Sequence, residues 1–149
     1  MAGRKSIKSY STTIAVEKTV MEIEQILVKS GATNIFKLYD SGVLKGLAFQ
    51  CIVNEKTLAF KLPMEEEKIL HVFKKSGINV NIEQARKTGW RIIKDWIDSQ
   101  ISLIAINTVK FEQVFLPYMY DMETNQTLFE KFEKRDFNLM IEKQEGTKR

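Results

Sequence analysis

The chain has 149 residues, 44% of them hydrophobic, with only 7 Gly and 2 Pro, which fits one globular domain and excludes a disordered polymer or a two-domain enzyme. One Cys and one His exclude an internal disulfide and a Cys/His zinc site. The net charge of +4 is concentrated in Arg4, Lys5 and Lys8, so residues 1–10 read as a basic, flexible arm that either adds phosphate affinity or keeps the protein soluble.

After that arm, residues 11–16 (Ser-Thr-Thr-Ile-Ala-Val) are β-branched enough for a short strand. Val20, Ile23, Ile26 and Leu27 then recur at helical spacing, with Thr19 and Glu22 as a capping pair and Gly31 at the stop. Three β-rich runs follow at 35–39, 43–53 and 57–62, divided by Asp40-Ser41-Gly42 and Asn54-Glu55-Lys56, which predicts an antiparallel meander. Phe36 and Leu38 share one parity and Leu58, Phe60 and Leu62 share another run's parity. Lys37 and Lys61 fall opposite them, so one sheet face is expected to be buried.

Pro63 ends the sheet, and residues 64–75 read as a short amphipathic helix with Glu65, Glu66 and Glu67 at its start, where acids complement the helix dipole. The longest helix is predicted over 82–106, capped by Asn81 with Gln84. A helix over 108–118, a turn at 121–125 and a helix over 127–135 complete a single α+β domain spanning 11–140, followed by a charged tail at 141–149. The meander of three to four strands is expected to pack against the long central helix and the C-terminal helices. The aromatic stripes Phe111/Phe115/Tyr118 and Phe129/Phe132 would close over the long helix or over a second copy in a homodimer.

The long helix carries the candidate site. Its apolar set covers more than half the circumference, leaving a narrow stripe of Lys87, Arg91, Lys94, Asp95 and Asp98 in which Arg91/Asp95 and Lys94/Asp98 stand at i,i+4 spacing. Lys87, Trp90, Arg91 and Lys94 interleave cations with an indole, a combination suited to phosphate contact and base stacking. The simpler reading makes Trp90 a core-rim residue covering the helix junction, because aromatic residues at helical spacing usually pack. Arg86 projects into the apolar arc, where it either snorkels to the helix end or lines a pocket that receives an anion.

Enzymatic readings find less support. His71 lies in the apolar run Ile69-Leu70-His71-Val72-Phe73, and Cys51 lies in Phe49-Gln50-Cys51-Ile52-Val53, so both read as structural. Asp40 with Glu66-x-Lys68 has a superficial likeness to the carboxylate set of metal-dependent nucleases, but Pro63 intervenes and places the pair in a helical first turn. There is no glycine-rich phosphate loop. No segment is apolar over the length a bilayer requires and the start lacks a signal-peptide core, so a cytoplasmic protein without a membrane partner, metal or cofactor is expected.

The order Glu22-Ile23-x-x-Ile26-Leu27-x-x-x-Gly31-Ala32, Ala59-Phe60-x-Leu62-Pro63, Trp90-Arg91 opening a long helix, and Phe111-Glu112-x-x-Phe115-Leu116-Pro117 resembles a group of small bacteriophage and prophage proteins. The likeness spans residues 22–132, with Gly89 standing where that group carries an Arg. It implies expression inside a bacterial host cell and an accessory role in phage biology. The resulting expectation is a non-catalytic accessory protein that binds nucleic acid through Arg4, Lys5, Lys8, Arg86, Lys87, Trp90, Arg91 and Lys94. The competing expectation is an anti-defence or host-directed inhibitor that contacts a host protein or sequesters a small anionic nucleotide signal. Steep salt dependence of binding separates the first from a packed protein interface.

Overall fold

The computed structural model describes residues 7–137, which form an α+β fold of five helices, one three-stranded antiparallel sheet and one two-stranded sheet. The first helix, α1 (Val16–Lys29), buries Thr19, Val20, Ile23 and Leu27. It begins one turn earlier than the Thr19/Glu22 pair predicts. Thr19 sits inside the helix, fully buried, and its hydroxyl donates to the Ala15 carbonyl at 3.4 Å instead of capping. The strand expected over 11–16 does not form. The acceptors around it are taken by side chains of the long helix over 82–105: Gln84 Nε2 donates to the Tyr10 and Thr12 carbonyls at 3.3 and 2.9 Å, and Thr88 Oγ1 to the Ser9 carbonyl at 3.1 Å. An acceptor satisfied from another element has no need of a neighbouring strand.

Strands β1 (Ala32–Asp40), β2 (Val43–Val53) and β3 (Lys56–Lys61) form the expected meander in the order β1-β2-β3. Both hairpins turn through two residues at positive φ, Ser41-Gly42 (52° and 79°) and Asn54-Glu55 (49° and 66°), the handedness that matches strand twist. Register corrects the parity reading. Phe49 stands between Ile35 and Phe60, whereas Ala48 stands between Phe36 and Lys61. Phe36 and Leu38 therefore lie on the face opposite Phe60, and Lys37 lies on the face of Leu47 and Phe49. A period of two specifies faces within one strand; only pairing aligns one strand's faces with the next.

Helix α2 (Glu66–Lys75) buries Phe73 against Ile78 and Ala85 in a small second core. The long helix α3 (Ile82–Ala105) starts as predicted, with Asn81 Oδ1 accepting the Gln84 N–H at 2.9 Å. The expected 108–118 helix divides into α4 (Phe111–Phe115) and a 3₁₀ turn, Leu116–Tyr118. Pro117 has no N–H to donate back to Gln113, so the α-helical ladder cannot continue. Two short strands, β4 (Tyr120–Asp121) and β5 (Gln126–Thr127), lead into α5 (Leu128–Lys134), which Thr127 and Glu130 cap reciprocally.

The main core lies on the Leu47/Phe49 face of the sheet, where Val20, Ile23 and Leu27 of α1 meet Trp90, Ile93 and Ile97 of α3. Phe115 is fully buried, with its ring centroid 5.7 Å from those of both Phe49 and Trp96. The stripe of α4 is thus used within the chain, while Phe129 and Phe137 remain partly exposed with centroids 6.1 Å apart. No helix among the described residues is long and apolar enough to cross a membrane.

Candidate ligand-binding cleft

Helices α1 and α3 run side by side in the same direction. Residues 16–20 lie beside 83–87, and Glu22 to Lys29 beside Arg91 to Asp98. This packing divides the sequence-predicted residues into two sets with different environments.

The first set is neutralised or buried. Arg91 Nη1 lies 2.7 Å from Glu22 Oε2 on α1, a partner the i,i+4 rule did not select, and Lys94 Nζ lies 2.8 Å from Asp98 Oδ2 as that rule did. The hydrogen bond that Lys94 donates to Asp98 holds the lysine pKa above its ordinary value, partly offset by burial. Lys8 Nζ lies 3.2 Å from Asp95 Oδ2. Trp90 is 0% exposed and belongs to the main core, so its indole has no face to offer a base. As a core-rim residue it would keep an open edge; here residues of α1 and of the sheet share its core and close that edge. Arg4 and Lys5 lie outside the described residues.

The second set, Arg86 and Lys87, opens on a cleft of about 420 Å³ between the α1 start, the β1–β2 hairpin and the first turns of α3. Lys37 and Tyr39 of β1 line the same cleft, as do Glu17 of α1 and Glu83 of α3. Lys37 Nζ lies 3.0 Å from Glu24 Oε1, and that carboxylate raises the lysine's pKa. Tyr39 is 62% exposed, leaving much of its ring available to a ligand. Lys87 has no ion pair or side-chain hydrogen bond among the described residues. The α1 start adds unspent backbone N–H groups, because Ala15 makes no side-chain cap.

The chain has no match among protein-family models, curated proteins or solved structures.

Arg86 does not snorkel freely. Its Nε lies 2.5 Å from Oε2 of Glu66, and Nη2 lies 3.4 Å from Oε1. Lys45 of β2 donates to Glu66 Oε1 as well, so three elements meet at one buried carboxylate. Burial pushes the Glu66 pKa up, but the bonds from Arg86 and Lys45 outweigh it and hold the carboxyl below its ordinary range. The guanidinium is therefore fixed in place at the cleft wall.

Asp40, Glu66 and Lys68, the nuclease-like set, line a second cleft of about 430 Å³ with Lys45 and Lys61. Glu66 is committed to Arg86 and Lys45 there, and no group of three His, Cys, Asp or Glu side chains among the described residues is arranged to hold a metal ion. Cys51 is buried in the core, and burial raises its thiol pKa.

Sequence reasoning missed Lys37, Tyr39, Glu17 and Glu83 as cleft residues. Tyr39-Asp40-Ser41-Gly42 marks a hairpin, but nothing local says which helix end that hairpin meets. Arg86 was the one residue whose position in an apolar arc signalled a partner or a pocket.

Proposed function

We propose that the chain is a non-catalytic bacteriophage or prophage accessory protein that acts by binding a small anionic ligand in the Arg86/Lys87 cleft. In the host cell this makes it a sequestering inhibitor of a phosphate-bearing signal rather than a reader of polynucleotides. The observation that carries the reading is Lys87: an ammonium without a partner among the described residues, beside a fixed guanidinium and the exposed Tyr39 ring, in a concave site. A phosphate would accept hydrogen bonds from the cations, and a planar group would lie on the tyrosine. The phage assignment is supported by the resemblance that runs through Trp90-Arg91 and Phe111-Glu112. The α3 edge supports a polynucleotide less well, because a duplex or single strand would have to displace Glu22, Asp95 and Asp98 from its cations.

Calorimetric titration tests the reading. Adenosine and guanosine monophosphates are expected to bind saturably, and Lys87→Glu is expected to weaken them about tenfold or more. Lys94→Glu is expected to leave that binding unchanged. The reading is overturned if the nucleotides do not bind while a short oligonucleotide does and loses affinity in Lys94→Glu.

A further inference from the structure

The cleft holds a contradiction for a simple anion site: two carboxylates line it together with the cations. Glu17 sits in the first turn of α1 and Glu83 in the first turn of α3, both exposed, and neither has an ion pair or side-chain hydrogen bond among the described residues. Lys37 and Arg86 already answer Glu24 and Glu66. The uncommitted charge at the cleft is therefore one ammonium, that of Lys87, against two carboxylates.

Such a site repels a ligand that is anionic throughout. It accommodates one whose anionic end meets Lys87 and Arg86 and whose neutral remainder carries hydroxyl or N–H donors, since a carboxylate can only accept. We infer that Glu17 and Glu83 make the cleft selective for a nucleoside phosphate over a bare inorganic polyphosphate, by accepting hydrogen bonds from the sugar hydroxyls or base N–H groups while Tyr39 lies against the base. This rests on the reading of the cleft as an anion site and specifies its ligand class.

The two acids also have an ordinary structural use, because a carboxylate in a helix's first turn complements the dipole, and α1 lacks a side-chain cap. Selectivity and stability are read separately. Calorimetry with adenosine monophosphate, guanosine monophosphate and inorganic pyrophosphate is run on the wild type, Glu17→Gln and Glu83→Gln, with melting temperatures recorded for each. Wild type is expected to bind at least one nucleotide about tenfold more tightly than pyrophosphate, the loss expected when a charged acceptor goes unused. In the Gln variants the ratio should narrow from both sides, with weaker nucleotide and tighter pyrophosphate binding.

Equal wild-type affinities for all three probes, or variants that change melting temperature but shift nucleotide and pyrophosphate together, would overturn the inference while leaving the anion site standing. Binding of none of the three probes would overturn both.

Discussion

Arg86 Nε lies 2.5 Å from Oε2 of Glu66, joining the N-terminal parts of two helices through a carboxylate whose side chain is only 8% exposed. Lys45 reaches the same carboxylate from the sheet, so the contact ties α2, α3 and β2 together. Removing one partner leaves buried charge uncompensated, and Glu66→Ala is expected to cost about 3 kcal/mol. The pH dependence has a definite sign. A carboxyl held below its ordinary value of 4.5 contributes stability that is complete above that value and is lost as pH falls through the lower folded value. Denaturant unfolding between pH 7 and pH 3 should show wild-type stability declining more steeply below 4.5 than that of Glu66→Gln.

Trp90 provides the clearest separation of structural from ligand-binding roles. A fully buried indole in the main core implies that Trp90→Ala costs about 3–5 kcal/mol and lowers the melting temperature by roughly 10 °C. Its fluorescence should be blue-shifted in the folded protein and unresponsive to oligonucleotides. A variant with an unchanged melting point would contradict the packing described.

Gly89 marks a close approach of α3 to α2 and to the segment that enters it. A Cβ there would stand 2.4 Å from Ile69 Cδ1 and 2.8 Å from Met64 Cε. Both are ends of flexible side chains, and Ala gains about 1 kcal/mol of helix propensity over Gly, so Gly89→Ala is expected to be nearly neutral in thermal unfolding. Gly89→Arg cannot be accommodated by such adjustment and should destabilise strongly. Circular-dichroism melts of the pair check the contrast.

Glu55 occupies the second position of the β2–β3 turn at φ +66°, a conformation costly to a side chain, after Asn54 at φ +49°. Glu55→Gly produces the favoured Asn-Gly turn. It is expected to stabilise by about 0.5–1 kcal/mol once the extra chain entropy of Gly is subtracted, raising the midpoint of urea unfolding.

The α+β class, the meander and the capped start of α3 were legible from the sequence. Each follows from information carried within a few residues: a period of two or 3.6, turn residues between apolar runs, and Asn81 three positions before Gln84. What the tertiary structure alone decided is which elements face one another. Strand register moved Phe36 and Leu38 off the Phe60 face, and the docking of α1 along α3 buried Trp90 and matched Arg91 with Glu22. The candidate cleft belongs to this second class, because Lys37 and Arg86 are separated by nearly fifty residues and meet only when the β1–β2 hairpin packs beside the two helix starts. Local periodicity specifies how wide an apolar arc is. It carries no information about which neighbour covers the edge of that arc, and at that edge the roles of Trp90, Arg86 and Lys87 diverge.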